Sequence, residues 1–256
     1  MYEVNQKFRE FVGWTRGVRY RLATRDKQAF ECPICEYTGP FMDADDPSGL
    51  RPNAKCPSCS GVERHRILWL TMGQLSSLYD FQSLSLLHFG PERQLKGPFR
   101  ELFGRYETAD LFSPDVDHTV DLRDLPFGDG SYDVIVAAHI LEHIKEDEAA
   151  IENIHRVLKP GGFAILQVPL FGPTTVEYQT PNPHEWGHVR APGEDYFERY
   201  RKIFPRVEEF RSSDFDRRFQ PFVNEDRTCW PENFRARPTS PGLEHEDIVP
   251  VCFVQP

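Results

Sequence analysis

The chain has 256 residues, 39% of them hydrophobic and 27% charged, with 40 acidic against 30 basic side chains. This balance excludes a disordered or fibrous chain and predicts one main domain with a small appendage. No apolar run approaches the roughly 20 residues of a membrane span. The first residues also lack the apolar core of a secretory signal, so we expect a cytoplasmic protein without a membrane partner.

The charge is distributed unevenly along the chain. Residues 1–70 carry two more basic than acidic groups, whereas residues 71–256 carry twelve more acidic than basic groups. A surface that binds phosphates needs positive charge where the chemistry occurs. The acidic second part therefore disfavours nucleic acid as a partner, although the basic first part keeps that class open.

The first predicted element is an amphipathic helix over residues 5–25, within an N-terminal helical region at 1–28. Its apolar side chains recur at helical intervals, namely Phe8, Phe11, Val12, Val18 and Leu22. We expect the arginines of this helix to form a solvated face rather than a binding patch.

Four of the six cysteines form two tight pairs, Cys32-Pro-Ile-Cys35 and Cys56-Pro-Ser-Cys59. Two such turns close a four-thiolate cage of the kind that holds Zn²⁺. The rival interpretations are redox pairs, which normally open a helix in a βαβ unit, and disulfides, which a reducing cytoplasm disfavours. A closed four-sulfur site has no open position, so we expect a structural zinc in a ribbon over residues 29–66.

The two remaining cysteines, Cys229 and Cys252, lie far from these pairs in the sequence. We expect both to be buried thiols.

From about residue 84, short apolar runs alternate with helical stretches. The predicted strands are Ser85–Phe89, Tyr106–Ala109, Val134–Ala138 and Phe163–Val168. The predicted helices are Ile67–Leu78, Glu92–Phe103 and Glu146–Leu158, the last ended by Lys159-Pro160-Gly161-Gly162. This alternation predicts an α/β fold with a doubly wound, mostly parallel sheet within residues 67–256, with ligands at the carboxyl ends of the strands.

The pattern weakens after Pro169. Residues 169–193 and 211–247 are predicted insertions, and between and after them we expect a helix at Glu194–Ile203 and strands at Val207–Phe210 and Ile248–Val254. Long irregular segments are usually functional or mobile. The insertions are open to three interpretations, a lid, an acceptor pocket or the contact of a homodimer.

The run from Val120 to Gly162 carries the most informative motifs. They are Asp121-Leu-Arg-Asp-Leu-Pro-Phe127, Ser131-Tyr-Asp133, His139-Ile-Leu-Glu-His143 and Arg156-Val-Leu-Lys-Pro-Gly-Gly162. In order and spacing they resemble the class I S-adenosylmethionine-dependent methyltransferases, in particular the branch with many small-molecule methyltransferases. The resemblance covers about residues 84–210 and implies a Rossmann-like sheet. The prefix with Cys59-Ser-Gly-Val-Glu-Arg-His-Arg66 looks like a bacterial subgroup that carries a zinc ribbon ahead of this domain.

The resemblance implies an S-adenosylmethionine site. Gly90 would let the backbone approach the cofactor, and Asp110, followed by Leu111, would accept hydrogen bonds from the ribose hydroxyls. Asp121 would meet the adenine amino group, with the Leu122 backbone on the ring edge. His139 would lie near the methionine end. For the two aspartates the alternative is ordinary turn capping.

The first loop departs from the family pattern, which has two or three glycines after an acidic residue. Here the loop is His88-Phe-Gly90-Pro-Glu-Arg93, with a single glycine. Our hypothesis is that Glu92 or Arg93 contacts the amino or carboxylate group of the methionine tail. The alternative is a chain that keeps the fold and has lost the cofactor.

Methyl transfer needs mainly the alignment of acceptor, methyl group and sulfur and the exclusion of water. A base is needed only if the acceptor must lose a proton. The catalytic candidates are His139, His184, His188 and Tyr178, with Glu142 and His143 as further candidate bases. We expect a small-molecule acceptor. The alternatives are an RNA methyltransferase that uses the zinc module to bind RNA and a non-enzymatic zinc-ribbon binding protein.

Overall fold

The computed structural model describes residues 2–46, 49–225, 227 and 243–255. In chain order the helices and strands are α1 (Tyr2–Ala23), β1 (Phe30–Glu31), β2 (Thr38–Gly39), β3 (Met42–Asp46), β4 (Gly49–Lys55), α2 (Glu63–Leu75), β5 (Ser85–Phe89), α3 (Arg93–Leu102), β6 (Arg105–Asp110), β7 (His118–Thr119), β8 (Tyr132–Ala137), α4 (Asp147–Val157), β9 (Leu158–Ile165), β10 (Val176–Asn182), β11 (His188–Ala191), α5 (Phe197–Arg201), β12 (Arg206–Arg211) and β13 (Ile248–Phe253). Short 3₁₀ helices lie at Phe81–Ser83, Leu141–His143, Pro183–Glu185, Glu194–Tyr196, Ser212–Asp214 and Arg217–Phe219.

Seven strands form the main sheet in the order β12-β13-β9-β8-β5-β6-β7. The strands from β9 to β7 pair in parallel, whereas β13 pairs antiparallel with both of its neighbours. The chain leaves β5 towards β6 on one side and returns to β8 on the other side. Strand order therefore reverses between β5 and β8, and such a point opens a ligand crevice at the carboxyl ends. The expected Rossmann-like, doubly wound α/β fold is confirmed.

The sheet forms because its central strands are apolar along their length and buried on both faces. All five residues of β5 are buried. Leu87 packs in one cluster with Ile151 and Ile154 of α4, while its neighbour Leu86 packs in the other cluster with Leu68 of α2. Since successive strand residues point to opposite faces, helices cover both sides of the sheet.

Two segments differ from the sequence expectation. Strand β9 covers Leu158–Ile165 rather than Phe163–Val168, so the Lys159–Gly162 turn forms part of it, with Gly161 at φ +75° and a register shift against β8. The expected irregular segment 169–193 contains an antiparallel hairpin, β10 with β11. Periodicity does not reveal β10 because its residues before Asn182 are largely exposed on both faces.

Helix α1 packs against the cysteine-containing module. A Cβ on Gly13 would lie 2.6 Å from the carbonyl oxygen of Ser58, so only glycine allows this close approach. Arg16 donates hydrogen bonds to the carbonyl oxygens of Pro57 and Ser58 and to the Ser60 hydroxyl. Arg16 is exposed, as expected for a solvated arginine face, and its side chain also contacts the turn at Cys56–Cys59.

Arg66 joins this module to the sheet domain. Its fully buried guanidinium donates to the carbonyl oxygens of Ala54 (2.8 Å) and Gly61 (3.1 Å) on one side and of Gln220 (2.7 and 3.1 Å) on the other. The guanidinium also lies 4.8 Å from the centre of the Phe41 ring. One side chain therefore joins the backbone of the module to Gln220, which lies 154 positions after Arg66 in the sequence.

Among the residues that the structure describes, no helix combines the length and apolar character required to cross a membrane. Cys252 is buried in β13, as expected. Cys229 lies outside the described residues.

Candidate active site and four-cysteine cluster

The four paired cysteines converge on one point. The Sγ atoms of Cys32 and Cys59 lie 3.6 Å apart and those of Cys35 and Cys56 lie 3.7 Å apart, with all four within 4.8 Å of one another. Tetrahedral zinc with bonds of about 2.3 Å places its sulfurs roughly 3.8 Å apart. The cluster therefore matches the ligand set of the predicted zinc ribbon.

Backbone hydrogen bonds shape both cysteine turns in the same way. The N–H of Glu36 donates to the carbonyl of Cys32, and the N–H of Ser60 donates to the carbonyl of Cys56, each at 2.9 Å. Glu36 and Ser60 both adopt a left-handed backbone, at φ 60° and 65°. These two turns direct all four thiols inwards.

A cavity of about 1460 Å³ lies at the switch point of the sheet. Its walls come from the ends of β5, β6 and β8, from the segment after β9, and from the cysteine-containing module. Typical ligand pockets measure about 300–1,000 Å³, so this space can hold a cofactor and a second ligand together. Most of the predicted site residues line it: Gly90, Glu92, Asp110, Leu111, Asp121, Leu122, His139 and His188.

Gly90 ends β5 with φ +53°, and a Cβ there would lie 3.0 Å from Cδ1 of Ile140 and 4.0 Å from Oδ2 of Asp110. Its N–H donates to the carbonyl of Ala109 on the neighbouring strand. The missing side chain thus leaves the strand ends open to the cavity, as the close approach of a ligand to the backbone requires.

One carboxylate oxygen of Asp110 accepts hydrogen bonds within the chain, and the other faces the cavity. Oδ1 accepts hydrogen bonds from the N–H groups of Phe112 (2.7 Å) and Ser113 (2.8 Å), which is the turn-capping alternative. Oδ2 is the oxygen that faces Gly90. Leu111 and Phe112 follow as exposed apolar side chains on the cavity wall, 42% and 89% accessible.

Asp121 is engaged by Arg123, whose side chain donates to both carboxylate oxygens at 2.6–3.1 Å. This hydrogen bonding lowers the pKa of Asp121 below its usual range. Oδ1 also accepts a hydrogen bond from the backbone N–H of Arg123 at 2.9 Å, which is the turn capping expected as the alternative role. A carboxylate has about four acceptor positions, and the contacts with Arg123 occupy them in this structure. Leu122 is buried beside it on the cavity wall.

The unusual first loop places a carboxylate in the cavity. Glu92 lies 2.7 Å from Nε2 of His88, and Nδ1 of His88 lies 3.0 Å from the Tyr106 hydroxyl. Burial raises the pKa of Glu92, but the hydrogen bond and charge of His88 outweigh burial and lower it. Glu92 is therefore an anion facing the cavity, whereas Arg93 begins α3 and does not line it.

His139 and Glu142 lie where β8 ends. His139 has a left-handed backbone, φ 56°, a conformation that costs a non-glycine residue about 1–3 kcal/mol and is often found at functional sites. Its Nδ1 lies 3.5 Å from Oε1 of Glu142. Burial, together with the nearby charge of Arg64, lowers the pKa of His139 well below its usual value, and burial raises that of Glu142 to about 8.

The hairpin brings a second histidine to the same place. Nε2 of His188 lies 3.9 Å from Oε1 of Glu142, and its Nδ1 lies 3.6 Å from Oε2 of the buried Glu185. Tyr178 does not line the cavity, and its hydroxyl lies 3.1 Å from Glu185. His184 does not line the cavity either, so the structure separates these two candidates from His139 and His188.

The cysteine-containing module supplies a wall that the sequence analysis did not foresee. Its cavity-lining side chains include Arg51, Lys55, Glu63, Arg64 and His65. His65 accepts a hydrogen bond from the N–H of Val62, and burial lowers its pKa to about 3, so it is neutral. The sequence holds one feature that could have indicated this wall. It is the run from Cys59 to Arg66, which belongs to the motif that resembles zinc-ribbon methyltransferases.

Comparison with known families matches residues 105–166 to the model described as a methyltransferase domain. This segment holds all four motifs in full. The matched segment also contains the ends of β6 and β8, which carry Asp110 and His139.

Curated relatives each match part of the chain. An uncharacterized methyltransferase of Mycobacterium sp. (strain KMS) is 30% identical over 101 residues, which is 40% of this chain and 36% of that protein. The demethylmenaquinone methyltransferase of Staphylococcus epidermidis is 36% identical over 62 residues, 24% of this chain and 25% of that protein. The match thus spans about a third of the curated relatives' length or less.

Among solved structures, an S-adenosylmethionine dependent methyltransferase from Mesorhizobium loti covers 74% of this chain and 99% of its own. It shares 16% sequence identity with this chain at a TM-score of 0.46.

Proposed function

We propose that this chain, which carries a methyltransferase domain, transfers the methyl group of S-adenosylmethionine to a small-molecule acceptor. The observation that carries this proposal is the one cavity at the switch point, in which the predicted cofactor residues and a cluster of histidines and carboxylates share a single space.

The residues on the sheet side of the cavity fit the cofactor. Oδ2 of Asp110 faces the open backbone of Gly90, where ribose hydroxyls can donate to it. Leu111, Phe112 and Leu122 offer apolar surface for an adenine ring, and Asp121 lies on the same wall, where the adenine amino group would replace part of its pairing with Arg123.

At the other end of the cofactor, we assign the ammonium group of the methionine tail to Glu92. This carboxylate is buried, ionised and held in place by His88. It replaces the glycines of the usual loop as the feature that fixes the tail. Arg93, the other half of the original hypothesis, has no part in this assignment.

When bound, the cofactor supplies a sulfonium that already carries a transferable methyl group. The chain has to orient an acceptor in line with that group and keep water out. His139 and His188 are the base candidates that share the cavity. Burial lowers the pKa of His139 well below its usual value, so its imidazole is neutral but only weakly basic.

A cavity of this volume has room for a small acceptor beside the cofactor. The name of the Staphylococcus relative, a demethylmenaquinone methyltransferase, points to the same class of acceptor.

We further propose that zinc bound by Cys32, Cys35, Cys56 and Cys59 has a structural role. The cage uses all four positions of a tetrahedral ion, so no position is left for a substrate. The bound ion would stabilise the module that forms one wall of the cavity.

Isothermal titration of S-adenosylmethionine into zinc-loaded protein tests the cofactor assignment. Asp110→Asn keeps an oxygen to cap the turn but replaces the oxygen that faces the cavity with an amide. We expect binding that weakens at least about tenfold in this variant, as the loss of a hydrogen bond to a charged group predicts.

Asp115→Asn is the matched control, because Asp115 lies exposed in the same loop and does not line the cavity. Equal affinity of Asp110→Asn and wild type would contradict the ribose assignment. Absence of cofactor binding in the wild type would contradict the proposed activity.

A further inference from the structure

We propose that Glu142, His143 and His188 form a binding site for a divalent transition-metal ion on the cavity wall, separate from the four-cysteine cluster. Metal binding at this site is independent of the proposed methyl transfer, and only the role given to the metal below rests on it.

The geometry brings three metal-ligating side chains together, one carboxylate and two imidazoles. One carboxylate oxygen of Glu142 and one ring nitrogen each of His143 and His188 lie within 4.8 Å of one another. Bonds of about 2.0–2.2 Å to a metal would place these atoms roughly 3–3.5 Å apart. Side-chain movements of about 1 Å would therefore close the site.

The second observation concerns Glu142, which is completely buried. Neither of its carboxylate oxygens has a hydrogen-bond partner among the residues that the structure describes. Each unpaired buried acceptor costs about 1–3 kcal/mol, so a folded protein rarely keeps two on one side chain without a ligand. A cation at this point satisfies both oxygens.

The two histidines are oriented for the same point. His143 is exposed on the cavity wall, so its ring is accessible to an ion. Nδ1 of His188 lies near Glu185, and its Nε2 is the nitrogen closer to Glu142. The two rings meet edge to face with centres 4.7 Å apart. A carboxylate behind a ligating imidazole is a usual arrangement in metal sites, and Glu185 holds that position behind His188.

Two imidazoles and one carboxylate are a donor set for first-row divalent metals, and the set leaves coordination positions open. All three residues line the cavity, so the open positions face the space beside the predicted cofactor residues. An acceptor with a hydroxyl or another oxygen donor can complete the coordination. The metal would then orient that oxygen and lower its pKa.

Titration of zinc-loaded protein with Co²⁺, followed by visible absorption, tests the site. Cobalt lies in the middle of the affinity series for these ligands, and thiolate ligands would add intense charge-transfer bands that nitrogen and oxygen ligands lack. We expect one equivalent of Co²⁺ to bind with weak visible bands only, while the zinc content of the protein stays unchanged.

Glu142→Gln and His143→Ala should each weaken Co²⁺ binding at least about tenfold. His143 is exposed, so its alanine variant is expected to fold even if the buried Glu142 variant does not. His184→Ala is the matched control, since His184 lies in the same hairpin region but outside the cavity lining. It should bind Co²⁺ as the wild type does.

Two outcomes would overturn the proposal: the absence of Co²⁺ binding to the zinc-loaded wild type, or unchanged Co²⁺ affinity in His143→Ala. Because no S-adenosylmethionine is present, neither outcome depends on the methyltransferase activity. Failure of cofactor binding with an intact Co²⁺ site would contradict the proposed function alone.

Discussion

Replacement of the buried Arg66 by methionine should uncouple the cysteine-containing module from the sheet domain. The methionine keeps most of the side-chain volume but removes four hydrogen bonds to three buried carbonyl oxygens. At about 1.5 kcal/mol for each of the three carbonyls that lose a charged donor, the loss is about 4–5 kcal/mol.

Urea denaturation followed by tryptophan fluorescence measures this free energy of unfolding, and a chromophoric chelator reports zinc release in the same samples. We expect Arg66→Met to lower the free energy of unfolding by about 4–5 kcal/mol and to release zinc before the sheet domain unfolds. Arg66→Lys retains the charge but cannot reach carbonyls on both sides, so it should recover only part of the loss.

Arg156→Met is the matched control. Arg156 also donates four hydrogen bonds, to Leu125, Phe127, Asp129 and Asn153, but its side chain is 37% exposed. Water can replace these partners, so we expect a loss of about 1 kcal/mol. A free energy of unfolding for Arg66→Met within about 1 kcal/mol of the wild type would refute the structural role of Arg66.

Glu92→Gln should weaken S-adenosylmethionine binding at least about tenfold by calorimetry, yet leave unchanged the binding of methylthioadenosine, which lacks the amino-acid tail. Asp247→Asn should raise the free energy of unfolding in urea by up to about 3 kcal/mol near neutral pH. Burial raises the pKa of Asp247 from 3.8 to about 6. The ionised carboxylate therefore lowers the free energy of unfolding fully above about pH 6, and this destabilisation declines as the pH falls from 6 to 3.8. Removal of zinc by a chelator should reduce cofactor affinity, and added zinc should restore it, because the module forms one cavity wall.

A specific result would contradict each of these three predictions. Equal weakening of both ligands by Glu92→Gln would place the carboxylate away from the methionine tail. If Asp247→Asn still raised the free energy of unfolding near pH 4, the raised pKa of Asp247 could not be the cause of the gain. Unchanged cofactor binding in zinc-free protein would show that the cavity does not depend on the module.

The central sheet could be predicted from the sequence because its signal is local. Strand β5 is a five-residue buried run and was predicted with its observed bounds. The β10–β11 hairpin could not be predicted in this way, since β10 contains Pro181 and exposes polar residues on both faces. Its position depends on contacts such as the ion pair of Arg190 with Glu177, which follow from the hairpin pairing itself.

The candidate site likewise has one part that could be predicted from the sequence and one part that could not. The resemblance to the methyltransferases predicted the residues at the ends of β5, β6 and β8, which lie at one edge of the sheet because these strands are parallel. The wall formed by Arg51, Lys55 and Arg64 could not be predicted, because the module is held to the domain by long-range contacts such as that of Arg66 with Gln220. No local pattern in the sequence encodes such a contact.

The position of β13 has a consequence for the order of folding. Among the described strands β13 comes last in sequence, yet it lies inside the sheet between β9 and β12, and β12 pairs with no other described strand. During synthesis from the amino terminus, β9 would keep an open edge and β12 would stay unpaired until residues 248–253 leave the ribosome. Strand β12 therefore joins the sheet only through β13, although β12 is made first.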